Sequence, residues 1–295
     1  MITRKGFIQQ AAIISTGIIL SPSLVLSKPR KKIGLQLYTL RDSIGKDVSG
    51  VIEKVAKVGY DYVETYGYTK ESKYWGLDPK AFNSLLKANN LKAPSGHYGL
   101  DLFLSTGKDE ELKSYIDAAN IVEHTYITVP YLGAKIRENL DDYKKIAHNL
   151  NKAGEICKRS GLKLAYHNHD FEFKQFDKGN GFDILLNETD PSLVGFELDL
   201  YWVVRGGHDP ISLFKKNPGR FVMWHVKDMD KLNPKMNTEI GNGSINFKTI
   251  FDNVKASGAK YMFVEQENNY VPEPFASIAK SAKYIKKDLF LMKLV

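Results

Sequence analysis

The chain has 295 residues, 43% hydrophobic and 26% charged, a globular composition whose core is large enough to do without cross-links. Its single cysteine, Cys157, excludes an intramolecular disulfide and reads as a small apolar residue of a helix. The net charge of +8 is dispersed as lysines on helical stretches such as KKIAHNLNKAGEICKRSG, not clustered as a nucleic-acid patch requires.

In chain order, the first 27 residues have a basic start, an apolar stretch over 11–20 and then small and polar residues. That is the layout of an export signal, too short and wrongly flanked for a membrane span. TRKGFIQ is similar to the twin-arginine pattern, with Lys5 in place of the second arginine. No cysteine directly follows the apolar stretch, so no lipoprotein anchor is expected. The expectation is an exported, periplasmic protein without a stable membrane anchor, whose KPRKK at 28–32 is a basic linker.

From residue 33 onward strand and helix patterns alternate. Strands are expected over 33–40, 60–67, 91–99, 124–132, 162–171, 193–204, 220–229 and 259–269, each a short run of strand formers. Helices are expected over 47–59, 77–90, 108–122, 141–161, 181–189, 209–219, 246–258 and 274–290. Asp78 and Pro79 mark one helix start, and Gly59 and Gly161 mark stops. Strict alternation implies a parallel sheet. Eight units after residue 33 match a single closed (β/α)8 TIM barrel, which takes about 250 residues. No Gly-rich phosphate loop follows the first strand, against a dinucleotide-binding sheet.

In such a barrel the chemistry sits where strands end. Strand two carries Glu64, and strand three ends in His97. Strand five ends in His167, Asn168 and His169, in the stretch LKLAYHNHDFEF. Strand six ends in Glu197 and Asp199, strand seven in His225, Lys227 and Asp228, and strand eight in Glu265 and Glu267. Period-two alternation puts Glu197 with Asp199, His225 with Lys227, and Glu265 with Glu267 on shared faces. Gathering such groups is unfavourable unless they are paired or hold a cation. Mixed imidazole and carboxylate donors suit divalent manganese, cobalt, zinc, iron or magnesium.

LAYHNHDFEF, VGFELDLYWVVRGGHDP, WHVKD and FVEQE resemble the xylose isomerase-like TIM-barrel family of sugar isomerases and epimerases. The resemblance implies one divalent ion (Mn, Co, Zn or Mg) held by Asp199, His225 and Glu265, with His167 where relatives carry a glutamate. It implies proton abstraction alpha to a carbonyl by His167 or Glu265, with His169 or His97 handling a second proton. Lys227 would orient the substrate or pair with Asp228 or Glu265. Tyr38, Glu64, Trp202 and Asn168 would contact a small-molecule carbohydrate, and Trp224 offers a further ring for stacking or core packing. Isomerase or epimerase is the leading expectation. A dehydratase or lyase acting on keto-sugars or 3-keto-glycosides is the alternative, resembling inosose dehydratases. A phosphodiester-cleaving endonuclease and a catalytically idle sugar-binding barrel are the remaining readings.

Overall fold

The computed structural model describes residues 31–290; the expected export signal and most of the expected basic linker lie outside them. Eight parallel strands close into a barrel: β1 Gly34–Gln36, β2 Tyr62–Tyr66, β3 Lys92–His97, β4 Tyr126–Val129, β5 Lys163–His167, β6 Val194–Asp199, β7 Met223–Val226 and β8 Tyr261–Val264. Pairing of β1 with β8, with Gly34 opposite Phe263, shuts the sheet. Two short antiparallel hairpins, at 175–180 and 228–238, decorate the loops after β5 and β7.

Local chemistry explains the helical boundaries. In α1, Val48–Val58, the Asp47 side chain caps the start, and Gly59 ends it in the left-handed region at φ 93°, which glycine adopts without steric penalty. Asp78 accepts from Lys80 and Ala81 N–H ahead of Pro79, opening α2, Pro79–Ala88. A capping box between Asn139 and Asp142 opens the long α5, Leu140–Arg159, after α3, Asp101–Thr106, and α4, Glu110–Val122. The chain continues through α6, Gly181–Glu188; α7, Leu200–Arg205; α8, Pro210–Lys216; α9, Phe247–Asp252; and α10, Pro274–Tyr284.

Several expected boundaries move. The strand expected over 33–40 stops at Gln36, whose side chain accepts from Tyr38 N–H and bends Leu37–Leu40 into a 3-10 turn. The strand expected over 193–204 stops at Asp199, and Leu200–Arg205 is helical. Asp199 Oδ1 accepts from Tyr201 and Trp202 N–H at 2.9 and 3.1 Å, so the cap overrides the strand propensity of LYWVV. The helix expected over 246–258 divides at Asn253, and α3 forms between the strand expected over 91–99 and the helix expected over 108–122.

Outward side chains of the strands pack on the helices. Trp224 stacks on Phe214 of α8 at 5.1 Å between centroids, so it is a core residue and not a sugar platform. Inside the barrel, Tyr126, Ala165, Met223 and Phe263 form a buried apolar plug. Ala165, Met223 and Phe263 each precede a site residue (His167, His225 and Glu265) by two positions. They therefore face the same way one step nearer the strands' N-terminal ends, and the polar groups rest on this plug.

Candidate active site

The C-terminal mouth holds a cavity of about 460 Å³ lined by Tyr38, Tyr66, Tyr131, His97, His167, His169, Glu265 and Glu267 among others. A second hollow, about 490 Å³, opens among Lys32, Lys87, Lys92 and Tyr261, at the end where the barrel strands begin. The mouth is the candidate site because the titratable cluster converges there.

Two groups of donors share His225. The upper one is His167, Asp199, His225 and Glu265; the lower one is Glu64, His97, Glu197 and His225. Within each group the donor atoms lie within 4.8 Å of one another. In the upper group, His225 Nδ1 is 3.2 Å from Glu265 Oε2 and 3.8 Å from Asp199 Oδ2. His167 Nε2 is 3.4 Å from Asp199 Oδ2. In the lower group, His225 Nε2 is 2.7 Å from Glu64 Oε2, and His97 Nε2 is 2.8 Å from Glu197 Oε2.

Lys227 is buried among the carboxylates, 2.6 Å from Glu265 Oε2, 2.7 Å from Glu267 Oε1 and 3.4 Å from Asp199 Oδ2. Of the two partners expected for it, it pairs with Glu265. Asp228 points the other way, as alternation requires, and accepts from the N–H groups of Met229, Gly241, Gly243 and Ile245. That knot ties down the loop over 229–246. A methyl group at Gly243 would collide with the Asp228 carboxylate and the Met229 carbonyl. Gly243→Ala is expected to cost about 1–3 kcal/mol and to open 229–246 to limited proteolysis; an unchanged Tm and cleavage pattern would refute the knot.

Charge states follow from these contacts. Burial pushes the Asp199 carboxyl up, but the charge of Lys227 outweighs it and holds it at about 2. Burial likewise opposes ionisation of Glu265, and Lys227 and His225 reverse that, holding it well below the usual range. His225 resists protonation by burial, yet the charges of Glu197 and Glu265 hold it well above the ordinary histidine value. In the lower group burial and the charge of Glu64 push Glu197 up to about 7. Burial and the proximity of His225 depress His167 to about 4. Burial, then His167, lowers His169 well below its usual value.

His167 is thus a neutral imidazole. Its Nδ1 lies 3.1 Å from the Pro130 carbonyl oxygen, which can only accept, so the proton sits on Nδ1 and Nε2 carries a lone pair. That lone pair faces Asp199 Oδ2, and both atoms are buried without a hydrogen-bond partner. Two acceptors facing each other in a buried position is unfavourable and is what a cation would relieve. The residues present therefore fit a divalent ion, with His167, Asp199, His225 and Glu265 as its donors.

The other expected residues divide. Tyr38, His97 and His169 line the cavity. Trp202 lies beside it, 5.1 Å from the His169 ring and 5.3 Å from Lys227 Nζ, its Nε1 buried without a partner. Asn168 is corrected: its buried Oδ1 accepts from Asp199 N–H at 3.0 Å and its Nδ2 donates to the His169 carbonyl, so it holds backbone and not substrate. Glu64 is corrected too, because it is fully buried beneath the mouth against Gln36, His97 and His225. Glu172, not among the expected site residues, faces away, accepting from Tyr166 O–H and His169 N–H. Sequence reasoning gave no role to Tyr66 and Tyr131 on the cavity wall or to Gln36 below; their strand-end positions were the available signal.

A closed (β/α)8 barrel with imidazoles and carboxylates converging at the strands' C-terminal ends has the layout of a TIM-barrel protein whose site lies at that mouth. The chain belongs to the xylose isomerase-like TIM barrel family, whose pattern matches residues 52–288. It is 30% identical over 176 residues to an inosose dehydratase of Clostridium perfringens, a match that covers 54% of this chain and spans only 59% of that relative's length. An inosose dehydratase of Lacticaseibacillus casei is 25% identical over 285 residues, covering 82% of this chain and 90% of the relative. Among solved structures, a sugar phosphate isomerase/epimerase from Parabacteroides distasonis superposes with a TM-score of 0.79 at 29% identity, covering 92% of this chain and 99% of that one. The IOLI protein, solved with a bound zinc atom, shares the fold at 16% identity and a TM-score of 0.68, covering 88% and 99%. Among the described residues no helix is long and apolar enough to cross a membrane.

Proposed function

We propose that this chain is a divalent-metal-dependent lyase that enolises a keto-sugar or keto-polyol and expels the oxygen substituent beta to the carbonyl. The metal, manganese, cobalt, zinc or magnesium, would be held by His167, Asp199, His225 and Glu265. When bound it supplies Lewis acidity, lowering the pKa of the proton alpha to the carbonyl.

One observation carries the choice of elimination over epimerisation. Epimerisation needs a proton acceptor on one face of the carbon and a donor on the other. A carboxylate that binds an ion through one oxygen keeps its second oxygen for a proton. His167 has no such reserve, because Nδ1–H is bound to Pro130 O and Nε2 is the ligand atom. Glu265 therefore stands as the single ligand able to move a proton. His169, neutral and lining the cavity with an unpartnered Nδ1, offers an N–H to the departing oxygen. Lys227 holds Glu265 in place and presents positive charge beside the developing enolate. The inosose dehydratase relatives support this reading. The N-terminal export layout supports unphosphorylated or glycosidic substrates met outside the cytoplasm.

Isomerisation or epimerisation is the second reading, favoured by the Parabacteroides distasonis structure. Both are tested by incubating the metal-loaded protein with inososes, keto-sugars and 3-keto-glycosides in deuterated water and following the products by proton NMR. Loss of the alpha proton and of the beta substituent, giving an enolone or its dione tautomer with one solvent deuterium at the former beta carbon, is the expected result. Deuterium with inversion and no unsaturation would replace the lyase by an epimerase. Absence of both across the panel would leave a sugar-binding barrel without catalysis.

A further inference from the structure

His225 is the hinge between the two donor groups, and its nitrogens do different work. Nδ1 faces Glu265 and Asp199, on the side where His167 and Glu265 reach the cavity. Nε2 faces Glu64 Oε2 at 2.7 Å and Glu197 Oε2 at 3.3 Å, among fully buried side chains. An imidazole that gives one nitrogen to a cation keeps its remaining proton on the other. The lower side supplies a ready acceptor for that proton. Glu64 Oε2 is itself fixed by Gln36 Nε2 at 2.7 Å and His97 Nε2 at 3.2 Å, so its position does not depend on an ion.

From this geometry we infer that Glu64 is a positioning residue: its carboxylate accepts the Nε2–H of His225 and so aims the Nδ1 lone pair at the upper group. The lower group is then a support and not a second cation site, although its donor types alone would suit one. This rests on the metal-binding part of the proposed function. It extends that proposal by assigning the two nitrogens of His225 and a task to a residue that touches neither ion nor substrate.

The test uses the full chain and zinc, with binding measured by calorimetry and the state of His225 by 15N NMR of the zinc-loaded protein. Wild-type protein is expected to take one zinc, with His225 metal-bound at Nδ1 and protonated at Nε2. Glu64→Gln, which keeps an acceptor without the charge, and Glu64→Met, which keeps bulk without an acceptor, should weaken zinc 10–100-fold, the range typical when a ligand's supporting carboxylate is lost. Glu64→Met should also abolish the single protonated state of Nε2, which a purely structural role would leave intact. No zinc bound by wild type would sink the metal reading and this inference with it. One zinc bound, but His225 attached through Nε2 or both variants within twofold of wild type, would overturn the inference alone. Two zinc ions per chain would overturn the assignment of the lower group. Should either variant fail to fold, the wild-type spectrum decides.

Discussion

Lys227→Met loses most of its turnover and part of its fold. The ammonium group lies within 3.4 Å of carboxylates on three side chains, Asp199, Glu265 and Glu267. Removing it leaves Asp199 and Glu265 buried with less compensation, and breaking a buried ion pair from one side costs about 3–5 kcal/mol. At this chain length that lowers Tm by roughly 10 °C. Turnover should drop by about 10²–10³-fold, the scale for removing one preorganised charge at a reacting centre. The stability deficit should shrink in saturating manganese or zinc, because a divalent cation neutralises the same carboxylates and binds only the folded chain. Calorimetric scans with and without metal check this. A Tm equal to wild type in the absence of metal would mean that Lys227 does not compensate the cluster.

Asp199→Asn should produce the opposite pairing of effects: a stable fold and a lost metal. Oδ1 of Asp199 caps α7, and Oδ2 faces His167 Nε2. An asparagine retains the capping oxygen and turns an N–H toward the orphaned His167 lone pair, giving it a partner. The metal-free protein should stay within about 1 kcal/mol of wild type. Divalent affinity should fall at least 100-fold, beyond the 10–100-fold usual for a supporting group. Asp199→Ala, by contrast, also loses the cap, a further 0.5–2 kcal/mol or about that. Metal content after dialysis and thermal unfolding separate the two variants. If Asp199→Asn retains metal, the upper donor group is misassigned.

These two residues also show how far the sequence can be read. Strand ends and side-chain alternation brought Asp199, His225 and Glu265 to the mouth together with Glu197, Lys227 and Glu267, and only the family resemblance set those three apart as ligands. The same rule put Lys227 on the face of His225 but left Asp228 and Glu265 open as its partners, a choice the structure makes for Glu265. What alternation cannot supply is depth. It puts Glu64 on the inner face, but whether that side chain meets a sugar or supports His225 depends on how far β2 is staggered against β3 and β1, where Glu64 lies opposite Ser95 and Gln36. Asn168 was misread for a related reason: the fold of the β5 loop, not the residue type, decides that its amide holds Asp199 N–H. The run LYWVV has strand propensity throughout, and a single capping carboxylate made it helix.

The direct passage of β6 into α7 limits where this scaffold can diversify. Asp199 ends the strand, caps the helix and faces the donor cluster at once, so there is no loop between β6 and α7 to lengthen. An inserted residue after Asp199 would uncap the helix, shift the carboxylate and swing Trp202 away from His169 and Lys227 together. New substrate preferences must then be written elsewhere on the rim, in the long segments after β2 and β7, while this corner stays a fixed point from which the others are measured.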